Sequence, residues 1–410
     1  MARRRKRTPG AWRVERQLIR YVHEFPDITR QELAQRLGQS PAAISLVIRR
    51  LINSGWLRES GRAVSLGGRR PVQLRLSAQK ALIVGQAVTN DGIRTVVVNP
   101  DGEMLAQHHT SELPPGNGLA DEMKAGIDAA VEMAGISKEQ IIGAGVALSG
   151  IVYSDSGIAR NYPNSDNVPE RNFLDLLEKM FDDKVIAIDH VTRARLIWDV
   201  YQNPALREQT CLLLELGSEL GGALSVFGTL YRGSDGAPLD VRNLLVSPNG
   251  RGGAKTARLE EIVALERLTA NTRRALEHCG PCLLLDMLGG DLDALTPGLI
   301  ARAAQAGDTL AFRIVSDVSE AVGDAISTIG GLLRPRTVLV AGQLVTSGLL
   351  NLDVVRRTVR LGVDPDVYDN MRLTVSESEE WGAANGVAHL VLRKWLDGLA
   401  PAKDGLLTEA

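Results

Sequence analysis

Two short stretches of this 410-residue chain hold residue types whose spacing can do chemistry. The first is "HCGPC", with Cys279 and Cys282 two residues apart. Thiols at that spacing can meet and exchange with a disulfide. A dithiol enzyme places a strand just ahead of the first cysteine. Here the preceding run, "EEIVALERLTANTRRALEH", is helical in pattern, and the apolar "LLLDML" follows. The expectation is two ordinary cysteines at a helix break, with a thiol redox sensor as the alternative. The second stretch is "QSPAAISLVIRR", where Ser45 and Arg49 are side chains that hydrogen-bond to base edges. Arg30, Arg50, Arg69 and Arg70 are of the type that anchors on phosphates or in a groove.

Those residues need elements to hold them. "RVERQLIRYVHEF" aligns Val14, Leu18, Val22 and Phe25 on one face and predicts a first helix. Thr29 and Glu32 have the spacing of a capping box, so a second helix starts there, with Leu33 and Leu37 inward and Gly38 as its stop. Ser40 as N-cap and Pro41 at the first helical position start a third. Its core face is Ile44, Val47, Ile48 and Leu51; Ala42, Ala43, Ser45, Leu46, Arg49 and Arg50 face outward. Ser40, Ala42 and Ala43 join the residues expected at the groove, because small residues let a helix sit deep in it. "WLRES" and "VQLRLS" predict two strands, joined by the arginine-tipped loop "GRAVSLGGRRP". Residues 1–78 therefore predict a winged helix-turn-helix.

Charge supports this division. Of 47 basic and 49 acidic residues, 17 and 5 fall in residues 1–76, a net of +12 there and −14 beyond. A basic head on an acidic body suits a module that contacts polyphosphate. Length, 44% hydrophobic content and 41 glycines predict a globular chain of two or three domains. No apolar run approaches the roughly 20 residues of a membrane span. "MARRRKRTPGAWRVERQ" lacks the apolar core of a secretory signal. Three cysteines are too few for a disulfide framework to organise a chain of this length, so a cytoplasmic setting is expected.

From residue 81 the pattern alternates strands ("ALIVGQAV", "RTVVVNPDGEML", "IIGAGVALSG", "KVIAID", "CLLLELG", "ALSVFG", "TVLVAG") with helices such as "LADEMKAGIDAAVEMAG". That predicts an α/β body. The head, the linker "GGRRPVQLRL" and the ordered pieces "VALSGIV", "NYPNSDN", "ELGSELGGALSVFGTLYRGSDGA", "LLRPRTVLVAG" and "WGAANGVAHL" together resemble the ROK family of bacterial repressors and sugar kinases. The resemblance runs from about residue 12 to 398. It implies a two-lobed, actin-like (ribonuclease-H-like) body with a ligand cleft between the lobes. The implied domains are 79–190 as a first lobe, completed by a helix at about 381–398, and 191–380 as a second, dimerising lobe.

Fold does not carry function, and here the family's chemistry is altered position by position. The metal-holding aspartate of the phosphate turn corresponds to Ala87, and a following glycine to Thr89. The catalytic base corresponds to His190 in "IDHVT", with Asp189 in place of an asparagine. A sugar-holding glutamate and a zinc-binding histidine correspond to Asp240 and Asn243. The three zinc cysteines correspond to Arg251, Gly253 and Arg258, so no zinc is expected, because zinc needs thiolate or imidazole ligands. Asn164 stands where the family holds sugar. Asn164, Asp189, His190 and Asp240 are thus the expected polar ring of an effector pocket. Gly217, Gly221, Gly222 and Gly342 remain from the phosphate-facing turns, but Glu219 between them repels phosphate; tight hairpin turns are the expected role.

The function expected is a DNA-binding transcriptional regulator, a repressor, with no catalytic residues and no cofactor. Its expected partners are operator DNA, a second copy of the chain and a sugar or other small effector. A residual sugar kinase and a regulator without any small ligand are the alternatives, alongside the thiol sensor.

Overall fold

The structure, a computed structural model, describes residues 9–25, 27–62, 72–77, 79–111, 113, 118–163, 165, 170–218, 220–233, 239–247, 256–378 and 380–398. Helix α1 (Pro9–Glu24) buries Leu18, Ile19 and Val22. Phe25, expected on that face, lies past the helix end and is exposed, with the Arg36 guanidinium 3.8 Å over its ring. The chain turns at once, because Asp27 takes a left-handed conformation at φ 67°. Its carboxylate accepts two bonds from Arg75, at 2.9 and 2.7 Å, and one from Ser60 at 2.7 Å. These bonds hold it down to about 2, the Arg75 pair being the main cause.

After β1 (Ile28–Thr29) comes α2 (Arg30–Arg36), begun by the full Thr29–Glu32 capping box. Helix α3 (Pro41–Asn53) starts at Ser40, whose hydroxyl accepts the Ala43 N–H at 3.3 Å. Ile44, Val47, Ile48 and Leu51 are buried beneath it. Strands β2 (Leu57–Arg62) and β3 (Val72–Leu76) follow, and the sheet order is β1-β3-β2. The sequence predicts two strands. The third is two residues long, too short to carry a period.

The body repeats one sheet plan. Its first half comprises β4 (Leu82–Thr89), β5 (Gly92–Val98), β6 (Met104–Thr110), α4 (Leu119–Met133) and β7 (Ile141–Leu148). A small sheet of β8 (Ile151–Tyr153), β9 (Ile158–Arg160) and β10 (Glu170–Asn172) leads to α5 (Phe173–Met180), β11 (Val185–His190) and α6 (Val191–Gln202). The main sheet runs β11-β7-β4-β5-β6, parallel on the β11 side and antiparallel on the β6 side.

The second half opens with β12 (Thr210–Leu216), β13 (Leu220–Val226) and β14 (Thr229–Leu230), then a short pair, β15 (Leu245–Val246) and β16 (Ala257–Arg258). Five helices follow: α7 (Leu259–Val263), α8 (Leu265–His278), α9 (Leu283–Leu288), α10 (Pro297–Gln305) and α11 (Thr309–Leu333). The half closes with β17 (Thr337–Ala341), α12 (Gln343–Thr346), α13 (Leu352–Gly362), α14 (Pro365–Asp369) and β18 (Arg372–Val375). Its sheet, β14-β13-β12-β17-β18, has the same order and sense, three strands antiparallel and two added in parallel.

The last helix, α15 (Gly382–Gly398), returns to the first sheet and packs against α6. Glycine makes this possible. A Cβ on Gly85 would stand 2.1 Å from the Ala384 oxygen, and one on Gly386 1.7 Å from the Ala194 oxygen. The small residues of "WGAANGVAHL" therefore let α15 lie flat on β4 and α6.

Candidate functional site

The head presents the outward face of α3. Ser40, Ala42, Ala43, Leu46, Arg49 and Arg50 are exposed and Ser45 is half-exposed. Arg49 makes no ion pair or hydrogen bond among the described residues. Arg50 is drawn toward the buried Glu15 at 3.8 Å, and Arg30 donates to Glu59 at 2.9 Å. Arg69 and Arg70 lie outside the described residues.

Between the two halves of the body lies a cavity of about 310 Å3, lined in part by Asn161, Ser149 and His190 on one side and Asp240, Arg242 and Arg267 on the other. That is the lower end of the ~300–1,000 Å3 range of small-molecule sites. Asn164 lies outside the described residues, beside the lining residue Pro163. Asp240 is exposed and already accepts from Arg242 and Asn243, and the Arg242 bond chiefly keeps its carboxyl below the usual range. The Asn243 oxygen in turn accepts from Arg258 at 2.9 Å.

Asp189 corrects the expected ring, since it does not line the cavity. Its side chain is wholly buried and accepts from Arg193, from the His190 N–H at 2.8 Å, from Ser154 at 3.1 Å and from Arg232 at 2.7 Å. Burial pushes this carboxyl up, but Arg193 and Arg232 outweigh it and hold it below its ordinary value. Arg232 comes from the second half of the body, so the pair ties the two halves together.

His190 lines the cavity and N-caps α6, its Nδ1 accepting the Thr192 N–H at 3.2 Å. Burial, then the nearby Arg193 charge, lowers it to about 3, so the ring is neutral at pH 7. With Nδ1 occupied, the ring proton sits on Nε2. A general base needs a free lone pair, and this imidazole has none to offer; it can donate a hydrogen bond to a ligand oxygen. A glycine covers it: a Cβ on Gly221 would lie 2.7 Å from Thr192 Oγ1 and 3.2 Å from His190 Cε1. Gly221 and Gly222 thus sit inside β13 for close approach, not in a turn as expected, whereas Gly217 and Gly342 are at turns, Gly342 at φ 96°.

A second cavity of about 320 Å3 is lined by Ala87 and Thr89, where the resemblance puts the metal–phosphate turn. Several of its polar groups are already engaged by the chain. Gln343 Oε1 accepts the Ser218 N–H at 3.0 Å and its hydroxyl at 2.7 Å, and Nε2 donates to Asp91 at 3.2 Å. Arg94 pairs with Glu380 at 3.0 Å and Arg195 with Glu215 at 2.8 Å. The turn amide that would face a phosphate is therefore occupied by the chain's own carboxamide. Sequence reasoning missed Gln343, Arg232 and Arg242; only the Asp189–Arg193 spacing of four, at a helix start, was visible. A larger space of about 800 Å3 lies where head and body meet, but its Arg75 is held by Asp27 and its Arg207 by the Val200 and Tyr201 carbonyls.

Among the described residues no group of three or more His, Cys, Asp or Glu side chains is placed to hold a metal ion, and no helix is long and apolar enough to cross a membrane. Cys279 and Cys282 do stand at a helix break, after α8 and before α9.

A winged reading helix on a two-lobed, duplicated α/β body defines a class, and comparison with known proteins agrees. The ROK family profile matches residues 85–394, and a winged helix-turn-helix DNA-binding profile matches residues 13–58. The chain belongs to the ROK family. It is 21% identical over 376 residues to a xylose repressor of Caldicellulosiruptor bescii, covering 90% of this chain and 92% of that one. It is 22% identical over 387 residues to the DNA-binding transcriptional dual regulator NagC of Escherichia coli K12, covering 93% of each. The fold matches the crystal structure of a ROK family transcriptional regulator, a homologue of the E. coli MLC protein, with a TM-score of 0.76 at 17% identity, over 95% of this chain and 97% of that one.

Proposed function

We propose that the protein is a sequence-specific DNA-binding transcriptional regulator, a repressor, whose kinase-like body is catalytically inactive. The observation that carries this reading is the contrast between an Arg49 that is exposed on α3 without a partner among the described residues and a neutral, helix-capping His190 at the position that the resemblance makes the catalytic base. The body's role is to hold two heads and to bind an effector. A palindromic operator requires two heads at a fixed spacing, so the working unit is a homodimer joined through the second lobe, residues 191–380. The relatives named as a xylose repressor and as an N-acetylglucosamine repressor support a sugar or sugar derivative as effector, with His190 Nε2–H, Asp240 and Asn164 as its proposed partners. Such a ligand acts only through different affinities for two lobe arrangements. The regulator works in the cytoplasm, and Arg69 and Arg70 on the wing anchor it to phosphates without reading sequence.

The test is recovery and sequencing of genomic fragments retained by the purified protein, with and without a panel of sugars. A shared palindrome whose retention changes with one sugar is the expected result. Absence of any shared motif would remove the DNA reading, and transfer of phosphate from ATP to a hexose would remove the inactive-body reading.

A further inference from the structure

The cysteine pair is the one chemical motif that the regulator reading does not use. Cys279 and Cys282 flank the break between α8 and α9, both half-buried, with their sulfurs 3.7 Å apart. A disulfide needs about 2.05 Å between sulfurs, a distance reached by side-chain rotation and a small loop adjustment. The loop can adjust, since Gly280 and Pro281 are exposed and nothing lies within 4 Å of a Cβ built on Gly280. Among the described residues the pair has no third metal ligand. The remaining cysteine, Cys211, is the opposite case. It is fully buried in β12, and burial pushes its thiol up to about 12, so it stays protonated and unreactive.

Two further contacts define the pair. The Cys279 thiol donates to the Leu276 carbonyl at 3.2 Å, and Cys282 lies beside the buried Asp308. Burial, with that carboxylate's charge, holds the Cys282 thiol above its ordinary value. Asp308 is the bracket of this corner: one oxygen accepts the Leu284 N–H of α9 at 2.9 Å and the other the Ala311 N–H of α11 at 2.8 Å.

We propose that Cys279 and Cys282 form a reversible dithiol–disulfide site whose redox partner is a low-molecular-weight disulfide. The Cys279 thiol loses its proton to solvent and the thiolate attacks one sulfur of the small disulfide, whose S–S bond breaks as the mixed disulfide forms. The departing small thiolate takes a proton. Cys282 then loses its proton to solvent and attacks the Cys279 sulfur, closing the ring and releasing the second small thiol. Two protein thiols are oxidised and one small disulfide is reduced to two thiols. Ring closure draws the Cys282 sulfur away from Asp308 and so reports redox state to the start of α9, where Leu283 and Met287 are exposed.

The experiment uses the full chain, glutathione disulfide as probe, a chromogenic thiol titration and intact mass. The reduced native protein should show two reactive thiols of its three, Cys211 being the silent one. Glutathione disulfide should abolish both and leave a mass lower by two hydrogens, with dithiothreitol restoring them. Cys282→Ser should instead stop at one bound glutathione. Ring closure should accelerate as pH rises, since Cys282 must lose its proton. Native protein that keeps both thiols, or that retains one glutathione on each cysteine, would overturn the proposal. Hydrogen exchange completes the test: amides of residues 283–288 should exchange faster in the oxidised form, and equal exchange would overturn the link to α9.

Discussion

The outward face of α3 and the cleft between the lobes are both lined with polar and charged side chains, and they differ in where the hydrogen bonds of those side chains go. On α3, neither the exposed Arg49 nor the half-exposed Ser45 has a side-chain partner among the described residues. In the cleft, Asp240 is taken up by Arg242 and the Ser218 amide by Gln343, and behind it the buried Asp189 is taken up by Arg193 and Arg232. An open hydrogen-bonding group is what a reading surface needs, because its partner arrives with the ligand. A group satisfied from within resists both a ligand and a reaction, because breaking its bonds costs about as much as the new ones return. The proposed reading rests on this difference between an open surface and one paired from within.

Breaking the cleft's internal bonds should give the largest effect. Asp189→Ala leaves the Arg193 charge buried without its counter-ion, and loss of one partner of such a pair costs about 3–5 kcal/mol. Urea denaturation should show that loss; a change near zero would mean the cleft is still solvated and the contrast with α3 is false. Next comes pH. His190 is neutral in the folded chain down to about 3 but protonates near 6.5 when unfolded, so the unfolded state binds more protons between those values. Stability should therefore fall as pH drops below 6.5, with the His190 share reaching about 2 kcal/mol between pH 7 and pH 5. His389 is shifted in the same direction, so the comparison is with His190→Asn, which keeps an N-cap and should lose that share alone. Matching pH profiles for the two proteins would refute it.

On the reading face, Arg49→Ala should weaken binding to the recovered operator by about 1–3 kcal/mol and relax preference at one position per half-site. An unchanged binding motif would assign Arg49 to the phosphates instead. The smallest change is Ser40→Ala, which removes the cap of α3 and should cost about 1 kcal/mol of stability. A melting curve identical to the parent's would show that the 3.3 Å bond contributes nothing.

What could be read from residue order was local. The Thr29–Glu32 box and the Ser40-Pro41 start bond within three residues, so the head's helices and the face of α3 were visible in the sequence. The strand β1 was not, since two residues carry no period and only pairing with β3 defines it. In the cleft, His190 and Asp240 were placed through resemblance and do line the cavity, while Asp189 was misplaced. Its partner Arg232 is 43 residues away, and nothing in "IDHVT" announces it.

Residue order alone set the basic head with its capped third helix and the α/β alternation of the body, and it put Ala87 and His190 where they stand in the chain. Those are matters of residue type and short-range spacing, which the chain carries wherever it goes. The long-range partners of the cleft's polar groups came from folding. Gln343 meets Ser218 across 125 residues and Asp91 across 252, and Asp189 meets Arg232 from the opposite half of the body. Whether a polar group faces a ligand or its own chain depends on which distant side chain folding brings within about 3 Å, and no local pattern encodes that distance.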